Sequence, residues 1–155
     1  MTLLIIRHGE TPLNVARVMQ PADTPLSANG LAQAGLLARR LAAGHPARPT
    51  ALVSSDLPRA LQTAQAIAAA TGLAIVTSPL LHERNFGDLR GQPYDSLGFD
   101  PLTREEAPPN GESIPQFAAR CAAAWAWVLQ QHAALVAGAG AGAGAGAVLA
   151  VVSHG

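Results

Sequence analysis

The chain has 155 residues, 49% of them hydrophobic, which is enough apolar material for one α/β-sized domain with its own core. Ten basic residues, all arginine, balance ten acidic ones, so bulk charge gives no footing for nucleic acid or a membrane surface. A single cysteine excludes an internal disulfide framework. No apolar run is long enough to span a bilayer and no basic-then-apolar leader opens the chain, so a reducing cytoplasm is the expected compartment.

Leu3 to Ile6 is a short apolar run that stops abruptly at Arg7-His8-Gly9, the pattern of a buried strand. Ligand sites in open α/β sheets lie just beyond the carboxyl ends of the strands. Arg7 offers a planar fork suited to phosphate, and His8 a nitrogen nucleophile that can be neutral at pH 7. Thr11 to Leu26 carries three prolines and no clean period and is predicted as loop. Asn14 and Gln20 lie in it as amides able to hydrogen-bond a ligand, or simply to shape turns.

Ser27 is expected to cap a helix running to about Ala43, with Leu31, Ala34, Leu37, Ala38 and Leu41 on its apolar face. Thr50 to Val53 is a second strand. Asp56 or Ser55 would cap the next helix, Pro58 to Thr71, and Arg59 would sit in its first turn. A cation there opposes the helix dipole, a conflict that a bound anion would resolve. Leu73 to Val76 gives a third strand, and Glu83 follows among apolar neighbours that would raise its pKa toward useful general-acid values.

Gly91 to Gly111 is irregular and proline-rich, a long surface loop or lid. Ile114 to Leu135 is predicted helical, with Phe117, Cys121, Ala124, Trp125 and Val128 on one stripe. On this reading Cys121 is a buried, inert thiol and the tryptophans are core. Gly138 to Ala147 alternates Gly and Ala and reads as a connector. Val148 to Val152 is the last strand and runs into Ser153-His154-Gly155.

Each strand therefore delivers a polar group beyond its end: Arg7 and His8, Arg59, Glu83, His154. The fold class this implies is α/β, a three-layer sandwich with a largely parallel central sheet and helices on both faces. Two Arg, two His and one Glu converging on one edge would suit a phosphate dianion, with a carboxyl to handle a proton. No cluster has metal-ligand spacing, so neither a metal nor another cofactor is expected.

The order of these motifs resembles the histidine phosphatase superfamily, which includes cofactor-dependent phosphoglycerate mutases and many small phosphatases. Arg7-His8-Gly9-Glu10-Thr11 with Asn14 is similar to its opening motif, and Pro25-Leu26-Ser27 with Gly30 and Gln33-Ala34 to the segment that follows. Ser54 to Ala60 with Gln62-Thr63-Ala64 is similar to its second arginine motif. Leu81 and Glu83 with Phe86-Gly87 and Gly91, then Gly111-Glu112-Ser113 and Ser153-His154-Gly155, complete the series.

The resemblance implies His8 as the nucleophile that becomes phosphohistidine. It implies Arg7, Arg59 and His154 as holders of the phosphoryl oxygens, with Asn14 assisting, and Glu83 as proton donor. Gln20 joins them as a phosphate-binding candidate from its place in the loop. The resemblance also implies a helix and strand following a Ser-His-Gly motif, whereas this sequence ends at Gly155, as expected of either a fragment or a chain that has lost that tail. Within the family a phosphatase is favoured over a mutase. Phe86 stands where mutases usually have Tyr, the chain has no Lys, and Arg104 is the only basic residue between Gly91 and Ala119. The expected partner is a small phosphomonoester, with a second copy of the chain, as a homodimer, the only macromolecular one considered.

Overall fold

Four strands, β1 (Thr2–Arg7), β2 (Ala51–Ser54), β3 (Ile75–Thr77) and β4 (Val148–Ser153), form one sheet in the spatial order β1-β4-β2-β3. Every pairing is parallel. The computed structural model describes residues 2–138 and 146–155; most of the Gly-Ala tract lies outside the described residues.

Parallel strands need crossover connections, and helices supply them on both faces. On one face α2 (Ala28–Ala42) and α3 (Pro58–Thr71) bury Ala38, Leu41, Ala60, Ala64 and Ile67 against Ile6, Leu52, Ala150 and Val152. On the other, α4 (Ile114–Gly138) packs Ala124 and Val128 against Val53, Leu149 and Val151. The alternation along β4 thus feeds both layers, and burying each large aliphatic side chain contributes about 1.5–3 kcal/mol. The predicted α/β sandwich is the observed fold.

Four local expectations need correcting. The segment after the first motif is not all loop, because Pro12–Val15 makes a one-turn helix, α1, closed by a capping box between Thr11 and Asn14. Ser27 caps α2 as predicted, but Leu31 is half exposed, because the face that turns inward is Gly30, Ala34, Ala38 and Leu41. The N-cap of α3 is Leu57, with no side-chain cap; Ser55 Oγ accepts the N–H of Leu57 and lies against His154, and Asp56 pairs with His82. On α4, Cys121 is exposed and Trp125 is 50% exposed. The cause is lateral placement: α4 covers β4 and β2 but not the edge strand β1, where Ile5 is 65% exposed.

Backbone-to-backbone packing at glycine seats the loop after β1. A Cβ on Gly30 would lie 2.0 Å from the Glu10 carbonyl oxygen, and one on Gly9 would lie 2.7 Å from that of Gly30. Ser27 N–H donates to the Glu10 carbonyl and Glu10 N–H to Gln33 Oε1, so the start of α2 holds the loop from two sides.

Candidate active site

The register of the sheet brings the polar groups together. Arg7 stands opposite Ser153 and Ser54 opposite Val152. The residues that follow, His8, His154 and Ser55, therefore emerge side by side. His8 N–H donates to the Ser153 carbonyl at 3.1 Å and Ser55 N–H to the Val152 carbonyl at 2.9 Å. The two imidazole rings lie 5.2 Å apart, centroid to centroid.

His8 is buried, and its Nδ1 sits 2.7 Å from the Gly9 carbonyl oxygen. A carbonyl only accepts, so Nδ1 carries the proton and Nε2 keeps its lone pair. Burial, with the added positive charges of Arg59 and Arg7, lowers the His8 pKa to about 4, so the ring is neutral at pH 7. His154 Nε2 meets the Ser55 hydroxyl at 3.0 Å, while its Nδ1 is buried without a partner among the described residues. Burial and the same arginine lower its pKa to about 2.

Arg59, expected near an anion, is 1% exposed. Its one side-chain hydrogen bond among the described residues runs from Nη1 to the Pro21 carbonyl at 3.3 Å, and its Nε is buried with no partner. Below it, Thr63 Oγ1 donates to the Arg59 carbonyl and accepts Gly9 N–H, tying the start of α3 to the β1 loop. Arg7 is exposed and lies along Gly155, where a Cβ would come within 3.0 Å of its Cδ.

Asn14 and Gln20 present amide nitrogens for a reason visible in the hydrogen-bond chain. Thr11 Oγ1 accepts Asn14 N–H, so its own proton goes to Gln20 Oε1 at 2.7 Å, while Asn14 Oδ1 accepts Thr11 N–H. Both amide oxygens are occupied and both NH₂ groups remain as donors.

Glu83 follows the 3-10 turn Pro79–Leu81. Burial raises its pKa, opposed by the Arg84 N–H that Oε1 accepts at 3.0 Å and by the charges of Arg59, Arg7 and Arg120. Glu10, the other carboxyl near the motif, accepts Ser27 Oγ and Asn29 Nδ2, which hold it below its usual range as a carboxylate. Two clefts of about 620 Å³ flank Glu83. One is apolar, with Ile5, Phe117, Trp125 and Val151 in its walls. The other is more mixed, with Ala22, Leu57, His82, Asn85, Arg90 and Gln116 in its walls.

Three contributors escaped sequence reading. Ser55 looked like a helix cap, and besides accepting Leu57 N–H at 3.3 Å it partners His154. Arg120 was one position on an apolar helix, and it reaches the Glu83 backbone. Arg84 is buried and donates only to backbone carbonyls, those of Glu112 (3.0 Å), Pro101 (3.3 Å), Arg104 (3.0 Å) and Glu106 (3.3 Å), and so gathers the long loop. Carbonyl acceptors leave no mark in the amino-acid sequence.

Fold and site together define a parallel α/β protein with two histidines and two arginines gathered at the carboxyl edge of its sheet. The sequence pattern of the histidine phosphatase superfamily (branch 1) matches residues 3–155, and the chain belongs to that family. A protein of Yersinia pestis named as a probable phosphoglycerate mutase, GpmB, is 45% identical over 98 residues. That match spans 63% of this chain and 44% of the relative, so less than half of the relative's length is represented. Among solved structures, a mycobacterial glucosyl-3-phosphoglycerate phosphatase in complex with VO3 aligns with a TM-score of 0.78 and 33% identity, over 97% of this chain and 74% of that one. A phosphoglycerate mutase of Thermus thermophilus aligns with a TM-score of 0.67 and 31% identity, over 100% of this chain and 78% of that one. Among the described residues no helix is long and apolar enough to cross a membrane, and no cluster of His, Cys, Asp and Glu could hold a metal.

Proposed function

We propose that the protein is a phosphomonoesterase that acts on a small phosphorylated metabolite through a phosphohistidine intermediate. The observation that carries this reading is the fixed tautomer of a neutral His8 beside a buried, underused Arg59. His8 Nε2 attacks phosphorus while the bond to the leaving oxygen breaks, and Glu83 gives that oxygen its proton. Water then attacks the P–N bond, Glu83 takes the water's proton, and phosphate departs from a restored His8. Arg7, Arg59, His154 and the amides of Asn14 and Gln20 hold the phosphoryl oxygens, a fixed electrostatic cradle for the charge of the transition state. That the mycobacterial neighbour, a phosphatase of the same fold, is solved in complex with VO3, a phosphate-like oxyanion, supports the reading.

A mutase is the second reading, favoured by the name of the Yersinia relative. Against it stands the leaving-group side of the pocket. Phe86 replaces the usual mutase Tyr, and the loop's one cation, Arg104, already pairs with Glu106 at 3.1 Å. Release of inorganic phosphate instead of an isomer separates the two.

The test is a pair of substitutions. His8→Ala should abolish turnover and any acid-labile, base-stable phosphoryl label on the protein. Glu83→Gln should lower kcat/KM for an alkyl phosphate by about 10²–10⁴-fold and for p-nitrophenyl phosphate far less, because an aryl leaving group departs unaided. The ratio kcat/KM is the right readout, since it reports phosphorylation of His8 and not the later hydrolysis. Activity retained by His8→Ala would end the covalent mechanism, and equal slowing of both substrates would remove Glu83 as the acid.

A further inference from the structure

Arg120, near the start of α4, sends its guanidinium under the segment that carries Glu83. Nη1 donates to the carbonyls of Leu80 (3.0 Å) and His82 (2.8 Å), and Nη2 to that of Glu83 itself (3.1 Å). The remaining face grips Glu112 in a two-point ion pair, Nε to Oε1 at 2.9 Å and Nη2 to Oε2 at 2.7 Å. Glu112 returns to the same segment: Oε2 accepts Asn85 N–H at 3.2 Å, and its own N–H donates to the Asn85 carbonyl at 2.7 Å. Both side chains of the pair are less than one-fifth exposed.

Residues 82–86 belong to no helix or strand, so no ladder fixes their backbone. The Glu83 carboxyl makes one hydrogen bond, to its neighbour's N–H, so its position is inherited from the main chain beneath it. We infer that Arg120, oriented by Glu112, is a positioning residue for Glu83, setting the backbone from Leu80 to Asn85 so that the carboxyl meets the leaving oxygen. The inference rests on the reading of Glu83 as proton donor. Charge-assisted, forked hydrogen bonds to carbonyls of one short segment give the directional hold this needs, which a lysine cannot reproduce. A displacement of about 1 Å in a reacting group can cost about 10²-fold in rate.

The experiment compares Arg120→Lys and Glu112→Gln with Glu83→Gln, measuring kcat/KM for glycerol phosphate and p-nitrophenyl phosphate and the inhibition constant of inorganic phosphate. Arg120→Lys should lose about 10–100-fold on the alkyl substrate and less than about fivefold on the aryl one, with phosphate inhibition within about twofold of wild type. Glu112→Gln should show the same selectivity with smaller losses, and it carries the test if Arg120→Lys does not fold. A merely structural staple would slow both substrates alike and weaken phosphate inhibition with them, and that result overturns the inference. Alkyl turnover left at the wild-type rate overturns it too. If Glu83→Gln itself fails to discriminate, the fault lies in the assignment of Glu83, which the same data set apart from a failure of Arg120 alone.

Discussion

Arg59→Met should separate stability from binding. In the free protein Arg59 is a buried cation with one long hydrogen bond and an orphaned Nε, and it lies in the field of another cation, Arg90, that opposes its charge. A buried donor left unsatisfied costs about 1–3 kcal/mol. Methionine keeps the aliphatic stem and removes that cost, less the volume it leaves unfilled and the lost attraction to Glu83. A net gain of about 1–2 kcal/mol corresponds to a rise in Tm of about 2–8 °C for a chain of this size. Phosphate binding should move oppositely. Removing one partner of a buried charge contact costs about 2–5 kcal/mol, or about 30-fold to several thousandfold in Kd. Phosphate at 100 times its Kd stabilises the wild type by about 2.7 kcal/mol, so the order of melting should invert as phosphate is added. Thermal melts in phosphate-free buffer and across a phosphate titration measure both arms. If the variant melts below wild type without phosphate, or gains as much from phosphate, Arg59 is a structural residue and the anion pocket has been misread.

The depressed pKa of His8, about 4 and caused chiefly by burial, predicts that kcat/KM falls on the acid side near pH 4 instead of pH 6.5. Between pH 6.5 and about 4 the unfolded chain binds the proton that native His8 refuses, so stability falls as pH is lowered through that window. Urea melts of wild type and His8→Asn at about pH 7 and about pH 4.5 check the sign: the variant should gain on the wild type at the lower pH, and a constant difference would refute it. Gly30→Ala would drive a Cβ to within 2.0 Å of the Glu10 carbonyl, so it should destabilise the chain by about 2–4 kcal/mol, and an unchanged denaturation midpoint would show that the contact yields.

Arg7, His8, Arg59 and His154 were legible because each ends or follows a strand or opens a helix, where apolar periodicity breaks. Glu83 lies well past β3, beyond a 3-10 turn, and was legible only from its apolar neighbours. The parallel sheet followed from the same alternation. Periodicity failed where burial depends on which neighbour is present. Leu31 and Trp125 fit an apolar stripe, yet α2 rolls onto its small residues and α4 stops short of β1. The capping expectation for Ser55 and Asp56 failed for a similar reason. Ser55 Oγ keeps a local bond to Leu57 N–H, which is not a cap inside the helix, and it also meets His154, while Asp56 pairs with His82; both histidines lie remote in sequence. The amide orientation of Gln20 needed the full chain of bonds through Thr11, which only coordinates supply.

The way Arg84 secures the long loop bears on how such a protein diverges. All four of its acceptors are main-chain oxygens, at Pro101, Arg104, Glu106 and Glu112. Every residue type has that oxygen, so the anchor is indifferent to what side chains the loop carries between those points. A substitution at Leu102, in the wall of the apolar cleft beside Glu83, can reshape that wall while the loop stays moored to the residue next to Glu83. Such a mooring lets point mutation vary the loop's side chains one at a time, with the backbone beside Glu83 left in place.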